Sequence, residues 1–159
     1  MARPPRDRGA TPGATYFVTA TAWQNRALFQ SAQVAELLLE TVFGYRRGGK
    51  FWVHEFVVMP NHIHLLLTPT HGTTIERAMQ LVKGGFSYRA REILGRSEIW
   101  QRGYVDHRIR DSVDYERHRL YVHQNPIRRF LCESPEEYPY SSARPGFDLD
   151  PVPQGLKPL

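Results

Sequence analysis

A chain of 159 residues with 41% hydrophobic content suits one domain around a single core and excludes a wholly disordered or repeat-built protein. Its formal net charge of +5, carried by arginine far more than lysine, suits a polyanionic partner contacted through bidentate guanidinium groups, although basic charge alone is also common in small proteins. The single Cys132 excludes an internal disulfide and a cysteine-built metal site, and the absence of a membrane-length apolar run or signal-peptide core leads us to expect a soluble cytoplasmic protein without a membrane partner.

Residues 1–13 are rich in Arg, Pro and Gly and predict a flexible basic arm, whose Arg3, Arg6 and Arg8 are either candidate nucleic-acid contacts or part of a frayed end. The β-branched and aromatic run Thr15 to Thr21 predicts a first strand. Ser31 is a suitable N-cap for a helix through Val34, Leu37, Leu38, Thr41 and Val42 that ends near Arg46 to Gly49. A second strand is expected from Phe51 to Val58.

The most apolar stretch, Val57 to Leu67, is interrupted by Pro60-Asn61, and so reads as strand, tight turn, strand. Side chains alternate along the second of these strands, so His62, His64 and Leu66 share one face while Ile63, Leu65 and Leu67 share the other. Two imidazoles thus point the same way from a rigid strand. Two readings stay open on spacing alone: a pair of hydrogen-bonded polar-face histidines, or two ligands of one divalent ion.

Thr73 or Thr74 begins a second helix, with Glu76 in its first turn and Ala78, Met79, Val82 and Phe86 as its buried stripe; Gly84-Gly85 marks a kink or a close backbone approach. Ile99 to Arg110 alternates enough to predict a fourth strand, a candidate edge, carrying Arg102, Arg108 and Arg110. Asp111 or Ser112 caps a third helix that runs to about Asn125-Pro126. Its polar stripe is Asp114, Arg117, His118, Tyr121, Gln124 and Asn125, which places the Tyr121 hydroxyl toward solvent or toward a site. Residues 14–130 form the expected main domain and 131–159 an extended tail, of which Tyr138 to Ser142 is the part suited to pack on the body.

Strand, helix, hairpin, helix, strand is the order of an α+β, ferredoxin-like split βαβ antiparallel sheet with helices on one face, followed here by a C-terminal tyrosine-bearing helix. Four stretches carry a family resemblance. They are Tyr16-Phe17-Val18-Thr19 with Arg26-Ala27-Leu28-Phe29; Met59-Pro60-Asn61-His62-Ile63-His64; Trp100-Gln101-Arg102 through His107-Arg108-Ile109-Arg110-Asp111; and Tyr121-Val122-His123-Gln124-Asn125-Pro126 with Tyr138-Pro139-Tyr140-Ser141-Ser142. In their order and spacing the chain resembles the single-tyrosine HUH transposases with an IS200-like domain, and within them the REP-associated tyrosine transposases. Phe17 stands where many members carry histidine.

The resemblance implies a metal-dependent single-stranded DNA endonuclease and strand transferase that cleaves near palindromic hairpins through a 5′-phosphotyrosine. It implies that Tyr121 is the nucleophile, that His62 and His64 bind Mg²⁺ or Mn²⁺, and that Asn125 is the third ligand. Gln124 is the neighbouring alternative, but it faces about 100° away on the helix. Arg102, Arg108 and Arg117 join the N-terminal arginines as candidate DNA contacts, His118 or His107 as candidate proton acceptors, and Trp52, Trp100 and Tyr104 as candidate stacking platforms for unpaired bases. The expected partner is single-stranded or hairpin DNA with REP-like palindromes, bound by a monomer or homodimer. The competing reading is a non-catalytic ferredoxin-like nucleic-acid-binding module.

Overall fold

The computed structural model describes residues 13–156, so the arm bearing Arg3, Arg6 and Arg8 lies outside the described residues. The elements are β1 (Tyr16–Thr21), α1 (Ala32–Arg47), β2 (Phe51–Met59), β3 (His62–Pro69), α2 (Ile75–Leu94), β4 (Val105–Arg108) and α3 (Ser112–Arg128). Strand order is β2-β3-β1-β4 with every neighbouring pair antiparallel. This is the expected split βαβ sheet.

Alternation along the strands divides the sheet's two faces. Val18, Ala20, Ile63, Leu65, Leu67, Val53, Phe56 and Val58 bury against α1 and α2, whose inward stripes include Val34, Leu38, Val42, Met79, Val82 and Phe86. Ser31 and Thr74 cap these helices by accepting the Val34 and Arg77 N–H groups. The other face carries Phe17, Val57, Met59 and Leu66, covered by α3 through Tyr115 and Val122 and by Ile109 and Tyr138. His62 and His64 lie on this second face, between sheet and α3.

Three local features differ from the sequence reading. The fourth strand shortens to Val105–Arg108 because Trp100, which bridges Ala22, instead packs its ring against Phe29 and Phe86 and donates its indole N–H to the Lys83 carbonyl. Trp100 and Tyr104 both pack on the main core, which leaves the exposed Trp52 as the candidate stacking aromatic. Helix α3 continues through Pro126 to Arg128, since burial of Asn125 and Pro126 outweighs the hydrogen bond that proline cannot make. Helix α2 runs unbroken through Gly84-Gly85, and Gly85 is the close approach, lying against the Tyr45 ring of α1.

After α3 the chain runs along β2. The Tyr138 hydroxyl donates to the Val58 carbonyl at 2.6 Å, the Val58 N–H donates to the Tyr140 carbonyl at 2.8 Å, and the Ser142 N–H to that of Phe56 at 2.9 Å. Phe147 packs on Phe43 and Phe56, and Asp150 accepts from Arg46 Nε and the Val53 N–H, both at 2.8 Å. A bulge between Val53 and Glu55 turns Glu55 toward α3, where Oε1 accepts from His123 Nε2 at 2.6 Å and Ser142 Oγ at 2.8 Å. Sheet, helix and tail are thereby locked in one register.

Candidate active site

The tight turn at Pro60-Asn61 starts β3 so that His62 and His64 both face α3. Their ring centroids are 4.6 Å apart. The His62 Nδ1–H donates to Asn61 Oδ1 at 2.6 Å, and His64 Nδ1 is 2.8 Å from the Thr19 hydroxyl of β1. Both rings are therefore oriented through Nδ1, which leaves Nε2 as the nitrogen turned to the site. Burial drives both toward the neutral form. His62 falls to about 4, with Arg129 adding to the effect of burial and the Asn125 side chain opposing it, and His64 to about 3, with His62 and then Arg129 adding to it.

Helix α3 brings two more predicted residues to this pair. Tyr121 is 39% exposed and its ring centroid lies 5.3 Å from that of His64. One turn on, Asn125 is buried with Nδ2 3.5 Å from His64 Nε2, whereas Gln124 faces solvent. Asn125 Oδ1 is buried and makes no hydrogen bond of good geometry, its nearest approach being to the His62 ring, on which the Asn125 side chain acts. An orphaned carbonyl oxygen beside two neutral imidazoles is a donor set that fits a divalent cation, because each atom offers a lone pair and none brings a competing proton.

Two residues that the sequence reading passed over complete the electrostatics. Arg128 lies over the Tyr121 ring with its guanidinium carbon 5.7 Å from the centroid, and Arg129 acts on both histidines. Their spacing of seven and eight from Tyr121 puts them two helical turns on, a signal hidden by the expectation that the helix stops at Pro126. Arg102, Arg108 and Arg117 are exposed. Phe17 packs against His64, Tyr121 and His118, with centroids 5.1, 5.9 and 4.7 Å away.

The two candidate proton acceptors belong to a separate group on the far side of Phe17. His107 Nε2 is 2.7 Å from Asp114 Oδ2, and the His118 Nδ1–H donates to the Asp114 main-chain carbonyl at 2.7 Å. Asp114 was expected on the polar stripe, yet it is 2% exposed, turned inward beneath β4. Burial opposes its ionisation, but the Arg110 N–H and the His107 ring hold its carboxyl below the usual range.

Comparison with known proteins places the chain in a family. Residues 13–125 match the family described as "Transposase IS200 like". The chain is 28% identical over 154 residues to a REP-associated tyrosine transposase of Escherichia coli K12, a match covering 92% of this chain and 84% of that one. Its fold resembles that of a REP-associated tyrosine transposase bound to a REP hairpin, with a TM-score of 0.74 and 23% identity over 96% of this chain and 92% of the other. With more than half its length matched, the chain belongs to the family of IS200-like transposases, enzymes that nick and join DNA.

Proposed function

We propose that this transposase cleaves and rejoins single-stranded DNA beside a REP-like palindromic hairpin, using Tyr121 as nucleophile. The observation that carries the proposal is the half-exposed Tyr121 ring 5.3 Å from that of His64, with Asn125 buried against the same histidine. In the reaction the phenolic oxygen attacks phosphorus, the bond from phosphorus to the 3′ oxygen breaks, and a 5′-phosphotyrosine and a free 3′-hydroxyl result. Because that link is still a phosphodiester, a second 3′-hydroxyl can attack it and restore a continuous strand while Tyr121 leaves.

His62, His64 and Asn125 would hold the metal, and Mg²⁺ or Mn²⁺ bound there supplies Lewis-acid neutralisation of the scissile phosphate. Arg128, over the Tyr121 ring, and Arg129, which acts on the two histidines, suit contact with the DNA backbone beside the break. Phe17 fixes the tilt of Tyr121 by packing edge-on against it.

The test is incubation of the protein with labelled hairpin DNA carrying a single-stranded flank and Mn²⁺, followed by denaturing electrophoresis. Wild type should give a protein–DNA adduct that Tyr121→Phe abolishes, and His64→Ala should lose cleavage far more than binding. An adduct that survives Tyr121→Phe refutes the assignment. Binding with no adduct from any form of the protein favours a non-catalytic module.

A further inference from the structure

We propose that His107, Asp114 and His118 form a second metal site, one for a Zn²⁺-class ion, that fastens β4 to the first turns of α3. It lies outside the proposed chemistry of His62, His64, Asn125 and Tyr121. One potential ligand atom from each of the three residues lies within 4.8 Å of the others. In a tetrahedral site with bonds of about 2.0–2.1 Å, neighbouring donor atoms stand roughly 3.3 Å apart, so rotations of two half-buried rings bring this group to binding distance.

The carboxylate is already desolvated and incompletely used. Asp114 is 2% exposed; its Oδ2 accepts from the Arg110 N–H at 2.9 Å as well as facing His107, while Oδ1 is buried and accepts nothing. His118 Nδ1 is 3.2 Å from that oxygen, but its N–H is directed to the main-chain carbonyl of Asp114. The two rings stack with centroids 4.8 Å apart and planes 20° from parallel, so their nitrogens address one small region. The two carboxylate oxygens thus each face one imidazole, and Arg110 touches only Oδ2, at 3.5 Å, so Oδ1 has no permanently charged partner among the described residues.

Two imidazoles and one carboxylate form a borderline donor set, which favours Zn²⁺ over the oxygen-seeking Mg²⁺. The side chains of His107 and His118 are 39% and 20% exposed, which leaves a path for entry and a position for water. The group joins an edge strand of four residues to the N-terminal turns of the helix that bears Tyr121. An ion there sets the start of that helix without touching DNA.

The test is calorimetric titration of the full chain with Zn²⁺ alone, with Co²⁺ absorbance as a second readout of nitrogen and oxygen ligation. Wild type should bind two equivalents. His107→Gln, at a half-exposed position, should bind one, and Asp114→Asn, which keeps the side chain's shape, should also bind one. A His62→Ala/His64→Ala double variant should retain one equivalent, and His107→Gln added to it should remove it. Zn²⁺ binding unchanged by both His107→Gln and Asp114→Asn overturns the second site, as does no binding to a folded His62→Ala/His64→Ala variant. Failure of the catalytic-metal reading would look different: wild type would bind one equivalent, His62→Ala/His64→Ala would retain it, and His107→Gln would lose it.

Discussion

The side-chain amide of Asn125 stands 3.5 Å from Nε2 of His64, joining positions 61 residues apart in the chain. This contact places one face of α3 on one face of β3, and His62, His64, Tyr121 and Asn125 lie on those two faces.

An unsatisfied buried carbonyl costs about 1–3 kcal/mol, and the Asn125 amide carries one. Asn125→Ala should therefore leave the metal-free protein within about 1 kcal/mol of wild type, far less than deletion of a satisfied buried amide. The rise in melting temperature that Mn²⁺ produces in wild type should vanish in the variant. Thermal melts with and without Mn²⁺ check both parts, and a preserved Mn²⁺ shift removes Asn125 from the ligand set.

Acid should loosen the tail. The Asp150 carboxyl is held below the usual carboxylate range first by its hydrogen bond from Arg46 and also by the Val53 N–H, with burial opposing. A depressed folded-state pKa means that its contribution is present above the unfolded value, near 3.9, and is lost as pH falls below it through the folded value. Asp150→Asn should cost about 1.5–3 kcal/mol at pH 7 and flatten that acid limb, because a charge-assisted pair is replaced by a neutral one. Urea unfolding across pH 2–7 measures it.

The paired glycines of α2 should respond oppositely to alanine. At Gly84 a methyl group meets nothing within 4 Å, so Gly84→Ala should stabilise by up to about 1 kcal/mol through helix propensity. At Gly85 the methyl would overlap the Tyr45 hydroxyl and ring, so Gly85→Ala should destabilise. Repeating Gly85→Ala in a Tyr45→Leu background should recover the loss; denaturant midpoints give the four corners of the cycle.

Phe130, two residues past the end of α3, has φ of 59° and is 94% exposed. The Phe130 and Leu131 N–H groups close back on the Ile127 and Pro126 carbonyls, a C-terminal motif whose left-handed residue is usually glycine. Phe130→Gly should stabilise by about 0.5–1 kcal/mol, the relief of left-handed strain less glycine's entropy. Chemical unfolding of the metal-free protein gives the sign.

Much of this arrangement was written in local pattern. The two-residue period of β3 put His62 and His64 on one face, and the four-residue step from Tyr121 put Asn125 on the same side of α3 while turning Gln124 away. Long-range packing was not written there. A polar stripe on α3 predicts a solvated face, yet this helix turns part of that stripe inward against the sheet face opposite α1 and α2, burying Asp114 and Asn125. Residues 99–104 alternate as a strand would, but the bulk of Trp100 fits the gap beside Phe29 and Phe86 better than it fits a ladder. Arg128 and Arg129 reached the site because the helix outlasted its proline, a balance that local propensity decides the other way.

The tail's hydrogen bonds carry a warning for anyone trimming the chain. The family match stops at residue 125, but the groups that saturate the outer rim of β2 come later, at Tyr138, Tyr140, Ser142 and Asp150. A truncation at residue 130 would uncover a nine-residue strand, most of it apolar, with its main-chain donors and acceptors open to a neighbour. Such a fragment should self-associate edge to edge at concentrations where the full chain does not.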